Sequence, residues 1–395
     1  MPESTLLCLN SGSASLKFAA FDLADCRAAT LPPARLRGMI ETHDGHSILQ
    51  WTDAQGQSQR SMSDEPRGDI DAELGIVLDR LVQPAGLGRI AAVAHRIVHG
   101  GTLYTSAQSI DTEVRRQLDA LRSLAPLHQG PGLEGVDAAT ARLPGVPQVA
   151  CFDTAFHATQ SEAERRYAIP RDLHDRGFKR YGFHGLSYDA INHKLPPLLG
   201  EHAAGAVVIA HLGGGSSLCG LRERRSVTTS MGFTALDGLV MSTRCGAIDP
   251  GLVLHWITEE HRDAAEITRM LYRESGLLGV SGLSADMRVL EASDSPQASE
   301  AIAVFTRSVV RNIGAVAAEI GGLDALVFTG GIGTHSARVR AAVCDALGWL
   351  GIALDPTANA AGAARISRDA SPVAAFALPT DEEGVMALQA AAILR

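Results

Sequence analysis

The residues best suited to chemistry lie in the stretch 206–220, AVVIAHLGGGSSLCG. Gly213, Gly214 and Gly215 remove every Cβ from one turn, so backbone N–H groups can approach a ligand and point at it together. Phosphate gains most from such a nest. The same glycines would equally serve a tight hairpin that needs positive φ and nothing more. Two further strand-and-glycine units favour the phosphate. Near the N-terminus an apolar run, 6–9, leads into a small polar turn, 10–15, that holds Gly12, and the chain returns over 16–21 with Lys17. Later, 325–328 runs into Thr329, Gly330, Gly331, Ile332 and Gly333. The first two units lie about two hundred residues apart, the pattern of two related halves facing a cleft, with a nucleotide as the natural occupant. Phosphoryl transfer asks for backbone cradles, a divalent ion and fixed cations, with little covalent chemistry. Arg96, His184 and Arg244 each stand in a glycine-bearing stretch and can supply such contacts. Taken singly, each is more often a solvated arginine or a satisfied structural histidine.

Other chemistries find less support. No GxxxxGK[ST] occurs, and Gly331-x-Gly333 lacks the third glycine of a dinucleotide fingerprint. His95 and His99 are four apart, as are Asp153 and His157, a spacing that metal sites use on helices. His95–His99 follows a strand pattern and precedes Gly-Gly, so the helical geometry that would join them is not expected. The net charge of −9, with no basic face evident, argues against a nucleic-acid partner. Six cysteines are scattered without a CxxC pair, which fits free thiols in a reducing cytoplasm. The N-terminus lacks a basic, apolar leader, and no run of eighteen uninterrupted apolar residues occurs, so neither export nor a membrane is expected.

The positioning elements alternate between strand and helix, which makes the fold α/β, and 395 residues exceed one core, so two domains are expected. Apolar residues at helical spacing predict helices over 69–82 and from Asp111 to about 124. Strands are expected at 90–94 and 148–152, delivering Arg96 and Asp153 to their C-terminal ends, where α/β folds place ligands. The stretch 125–135, APLHQGPGLEG, reads as a loop with His128, and 229–250 as a long functional loop. Pro250 opens a helix, a long core helix carries Ile302 to Ile320, and another begins near Ser336. The domain boundary is placed at 150: an N-terminal domain of 1–150 joined by a C-terminal helix, 383–395, and a second domain of 151–382.

The segments NSGSASLKF, HRIVHGG, APLH, FDTAFH, RYGFHG, HLGGG, SMGFTALDGLVMSTR, DMR, FTGGIG and TDEE, in this order and over nearly the whole chain, resemble the acetate kinase family. The resemblance implies two duplicated RNase-H-like domains of the actin-like ATPase type, hinged about a nucleotide cleft. It implies reversible transfer of the γ-phosphoryl group of ATP to acetate, giving acetyl phosphate and ADP, with propionate or another short acid as the alternative. A degenerate nucleotide-binding member of the superfamily is a further alternative. It also implies a homodimer. Carried over by position, Asn10 and Glu382 would coordinate Mg²⁺, or Mn²⁺, and Lys17 would reach the nucleotide phosphates. Arg96 would hold the substrate carboxylate, with Val98, Leu127, Phe183 and Ala235 around the alkyl tail and His128 assisting. Asp153 matches an essential acidic residue, and His184 and Arg244 would stabilise the transferring group. His211, Leu212 and Gly213–Gly215 would cradle phosphates. Asp286, Met287 and Arg288, with Gly331, Ile332, Gly333, Thr334 and His335, would frame the adenosine.

This chain departs from the family pattern in places. Gly214 stands where asparagine is usual, and Thr334-His335 replaces Glu-Asn. Gln129-Gly130 replaces Asn-Pro, and Ala247 replaces an aspartate. Ala235 stands where a proline commonly borders the alkyl pocket, which should enlarge it and let propionate compete.

Overall fold

The computed structural model describes residues 4–394 apart from 13–14, 44–45, 64–68, 83–85 and 126–128. Contacts divide the chain into two units: Met1–Phe156 with Gly185–His193 and Asp381–Arg395, and His157–His184 with Lys194–Thr380.

The first unit is built on the sheet order β5-β4-β3-β2-β1-β6-β8-β7. Its strands are β1 Ser4–Ser11, β2 Ser15–Asp22, β3 Ala34–His43, β4 His46–Asp53, β5 Ser58–Ser63, β6 Arg89–Ile97, β7 Gln108–Ser109 and β8 Gln148–Phe152. The second has the order β11-β10-β9-β12-β13, from β9 Val207–Leu212, β10 Ser216–Arg222, β11 Arg225–Thr229, β12 Ala325–Thr329 and β13 Ala374–Ala377. The run β3-β2-β1-β6-β8 repeats β11-β10-β9-β12-β13, antiparallel across the first three strands and parallel across the last three. In both units the leading strand, β1 or β9, therefore makes a hairpin with the next, β2 or β10, and runs parallel to a later one, β6 or β12. Parallel strands end on the same side, so each sheet gathers its strand ends, and the residues that follow them, along one edge.

Burial holds both units together. In the first, Leu7, Leu9, Leu16, Phe18 and Val93 pack beneath the helix Ile70–Val77 on one face of the sheet. On the other face Leu6, Cys8, Val149 and Cys151 meet Val385, Met386 and Ala390 of the helix Glu382–Ile393. In the second, the helix Pro296–Glu319 lays Ile302, Phe305, Val309, Ile313 and Val316 onto Val208, Ala210 and Leu218, each large side chain contributing ~1.5–3 kcal/mol. That helix is long and apolar enough by composition to cross a membrane, but this face is core.

Two expectations need correction. Gln129–Arg142 is a helix, not part of a loop. Pro131 is harmless in a first turn, where no N–H partner is required. Gly132 and Gly135 are there for close packing: a Cβ at Gly135 would lie 2.4 Å from Ser11 Oγ, and one at Gly132 3.2 Å from the Arg96 carbonyl oxygen. Glycines that looked like breakers let the helix touch β1 and β6. The helix expected over 69–82 is α-helical only through Ile70–Val77, and its continuation, Leu78–Val82, opens into a wider π turn.

Candidate active site

The first unit assembles a cluster of paired charges. Leu9 lies beside His95 in the parallel β1–β6 ladder, and Ile97 beside Phe152 in β6–β8. Adjacent strand ends thus bring Asn10, Arg96 and Asp153 together. Arg96 Nε donates to both Asp153 oxygens at 3.2 and 3.1 Å, and Nη2 donates to Oδ2 at 2.6 Å. Arg96 Nη1 donates to Asn10 Oδ1 at 3.2 Å, and Asn10 Nδ2 donates to Glu382 Oε2 at 3.3 Å. Glu382 reaches the cluster because Asp381 caps its helix, accepting from the Gly384 N–H, which fixes the first residue next to the sheet edge. A guanidinium has five N–H donors, so one hydrogen on each terminal nitrogen remains for a ligand.

The electrostatics follow from burial. Burial pushes the Glu382 carboxyl up; Arg96 opposes this, while Asp153 and Glu383 add to it. Burial also works against the Arg96 charge, but Asp153 and Glu382 more than offset it and hold the guanidinium above its ordinary value. Two carboxylates against one arginine leave an oxygen-rich corner short of positive charge. Lys17 is exposed and stands opposite Asn10 in the β1–β2 ladder. Val98, just past β6, is buried. Leu127 and His128 lie outside the described residues.

The histidines near this cluster have structural partners. His95 Nε2 lies 2.7 Å from Gln148 Oε1, and His99 Nδ1 accepts from the Gly101 N–H at 2.8 Å. Burial pushes both down to about 4, so both are neutral at pH 7. His157 belongs to the other unit, between Ser226 Oγ at 2.9 Å and the Phe183 carbonyl at 3.0 Å. No group of three or more His, Cys, Asp or Glu suited to a metal occurs among the described residues.

The second unit supplies a backbone cradle. Residues 213–215 form the loop of the β9–β10 hairpin, closed by the Gly213 N–H to Ser216 Oγ and by that hydroxyl to the Gly213 carbonyl, at 3.2 and 3.1 Å. None of the three glycines has left-handed φ. Close approach, not turn geometry, is what they provide. A Cβ at Gly215 would lie 3.1 Å from His184 Nε2 and 3.8 Å from Arg244 Nη1, and one at Gly213 3.7 Å from the Gly331 nitrogen. Gly330 does need its freedom: φ is +76°, and a Cβ there would sit 2.6 Å from the Leu212 carbonyl oxygen.

Arg244 lies in the 230–249 loop, which is fastened through its backbone. Met241 accepts from the Leu277 N–H, Thr243 from Ser275 and Ser242 from Leu278. Gly276, at φ +64°, allows this, since a Cβ would strike the Met241 carbonyl. Arg244 Nη1 in turn donates to the Ala235 carbonyl at 3.0 Å. His184 precedes the helix Gly185–Leu199 in left-handed conformation, φ 58°.

Next to the cradle is a cavity of about 580 Å³ lined by Gly213, Gly214, Ser242, Asp286, Met287, Arg288, Glu291, Gly331, Ile332 and His335. Gly333 and Thr334 do not line it. Gly333 packs toward Phe328 and Ala210, and Thr334 Oγ1 bonds the Gly330 carbonyl within the short helix Gly330–His335. The side chain of Leu212 is likewise core. Phe183 is buried, and His211 stacks on His184. The residues the sequence did not single out are Ser217, Ser242, Glu291 and Arg340. Fully buried, Arg340 donates to the Gly333 and Thr334 carbonyls at 3.0 and 2.7 Å and braces that helix. No sequence signal marks a buried arginine on an otherwise ordinary helix; Ser217, directly behind the glycines, was findable.

Residues 5–388 match the Acetokinase family. The chain belongs to the acetokinase family. It is 46% identical over 392 residues to an acetate kinase of Rhodopseudomonas palustris, covering 98% of this chain and 97% of that one. It is 42% identical over 391 residues to an acetate kinase of Rhizobium meliloti, covering 98% of each. Among solved structures it resembles acetate kinase from Porphyromonas gingivalis, with TM-score 0.84, 33% identity and coverage of 99% of this chain and 100% of that one. A propionate kinase from Francisella tularensis superposes with TM-score 0.89 at 32% identity, covering 98% of both. These likenesses and the repeated strand order make this acetokinase an α/β protein of the actin-like ATPase fold.

Proposed function

We propose that the chain is an acetate kinase, moving the γ-phosphoryl group of ATP reversibly onto acetate to give acetyl phosphate and ADP. The observation that carries this reading is the convergence of His184 Nε2 and Arg244 Nη1 on Gly215, in the glycine loop beside the cavity. Backbone donors and fixed side chains aimed at one point are what a loose phosphoryl transition state requires. The cavity, framed by Asp286–Arg288 and by Gly331, Ile332 and His335, takes the adenosine. Gly213–Gly215 hold the phosphates.

In the first unit Arg96 presents its remaining N–H pair to the acid, kept in orientation by Asp153 and Asn10, with Val98 for the methyl group. A carboxylate oxygen attacks the γ-phosphorus in line and the bond to the ADP oxygen breaks. Arg244 and His184 offset charge on the equatorial oxygens. No activated Ser or Cys nucleophile is needed. Asn10 Oδ1 and the Glu382 carboxylate would hold Mg²⁺ as oxygen donors, in a cluster where two carboxylates face one arginine. When bound, the ion neutralises phosphate charge.

Ala235 supports a second acid: without a proline ring at that position, propionate competes with acetate. The helix Pro250–Thr258 buries none of its residues and exposes Leu252, Leu254 and Ile257, an apolar surface that supports a homodimer. Six free cysteines support a cytoplasmic location. Incubating the protein with ATP, Mg²⁺, acetate and hydroxylamine tests the reading, with acetyl hydroxamate and ADP as expected products. ADP without hydroxamate would overturn it in favour of a nucleotide-hydrolysing or nucleotide-binding protein.

A further inference from the structure

The β9–β10 hairpin does more than present glycines. Its antiparallel register sets Ser217 opposite His211, so the two share one face beside the turn. His184 rests against both. Its ring stacks on His211 with centroids 4.3 Å apart and planes 19° from parallel, and its Nδ1 lies 2.8 Å from Ser217 Oγ. Nε2 faces the other way, toward Gly215. One ring nitrogen is thus committed to a fully buried serine and the other to the place where phosphate would lie.

The mounting is stiff. Left-handed backbone is unfavourable for a non-glycine residue, so His184 keeps its φ of 58° only because its surroundings impose it. Gly182, at φ +76°, packs against the His157 ring, and His157 Nε2 holds the Phe183 carbonyl at 3.0 Å. The titratable and charged groups that this unit turns toward His184 are His211 from β9 and Arg244 from the 230–249 loop, with His157 behind Phe183.

A neutral imidazole carries one N–H, and the partner of one nitrogen decides whether the other bears the proton. A serine hydroxyl can donate to Nδ1, and the proton must then sit on Nε2. We propose that Ser217 is a positioning residue that donates to Nδ1 of His184 and fixes its Nε2–H tautomer, so that the ring offers the transferring phosphoryl group a hydrogen bond whether or not it is charged. His184 lends that bond and gives up no proton. The proposal deepens the phosphoryl-transfer reading and rests on it.

Two measurements test it. The first is the ratio of wild-type to Ser217→Ala kcat across pH. Alanine removes the hydroxyl and lets part of the neutral His184 population adopt the other tautomer, so kcat falls with the share of rings that lose the Nε2–H. The ratio is expected to rise from acid to alkaline pH, where the neutral ring prevails, and Ser217→Thr should keep it flat. A ratio independent of pH, or a loss that threonine does not reverse, overturns the proposal. The second is NMR of the ligand-free protein with ¹⁵N-labelled histidine, which reads the tautomer without any activity. Nε2–H is expected in the wild type and a mixture in Ser217→Ala; Nδ1–H in the wild type would overturn the proposal. Failure of the hydroxamate assay, by contrast, would remove the phosphoryl-transfer reading and leave the tautomer result standing.

Discussion

The two units share a strand order but prepare their strand ends differently. In the first, charged and polar side chains are paired with one another: Asp153, Arg96, Asn10 and Glu382 form a chain of hydrogen bonds. In the second, the same edge carries glycines whose backbone approaches Gly331 and the rings and guanidinium of its neighbours, and side-chain charge is brought in from a distant loop by Arg244. On the proposed reading, the ion-paired cluster would orient a small carboxylate, and the glycine loop with its fixed donors would meet the spread charge of the phosphate and set rate. One strand order occurs twice, and the residues past the strand ends differ between the two copies.

That contrast can be broken from the second unit first. Arg244→Ala should cost ~10²–10³ in kcat with modest change in either KM, since the contact strengthens only as transfer proceeds. Gly215→Ala comes next. Its φ admits alanine, but the Cβ would stand 3.1 Å from His184 Nε2, so kcat should fall about tenfold, as for a displaced donor, with little change in Tm. Ala235→Pro should lower propionate kcat/KM relative to acetate by about fourfold, the ~0.8 kcal/mol of one buried methylene. An unchanged ratio would mean that residue 235 does not border the alkyl group.

The first unit yields the smallest effect, and it concerns stability. Burial raises the Glu382 carboxyl above its unfolded value, so the folded state holds a proton more readily than the unfolded one. Its contribution is fully present below the unfolded value and is lost as pH rises through the folded one. Glu382→Gln should therefore raise Tm modestly at pH 7, with the gain shrinking on acidification, and should remove the stabilisation by Mg²⁺ that the wild type is expected to have. A lower Tm at pH 7 would show that the carboxylate is needed by Arg96 more than burial penalises it.

The amino-acid order revealed much of this and hid some of it for physical reasons. The hairpin at 206–221 was legible because a buried strand, three glycines and a return strand admit few other structures. Arg96 was legible because it closes an apolar run. The helix Gln129–Arg142 was hidden, since glycines required for contact with Ser11 and Arg96 are the same letters that end helices. Thr334 and Gly333 belong to a helical turn rather than a loop, and Arg340, ten residues from Gly330, braces it through their carbonyls.

Acetate saturation kinetics of Arg96→Ala and Arg244→Ala, measured side by side at saturating ATP and Mg²⁺, test the division of labour most directly. The account predicts a large rise in the acetate KM for Arg96→Ala, and a collapse of kcat at nearly unchanged KM for Arg244→Ala. The same loss in both parameters from both variants would contradict it.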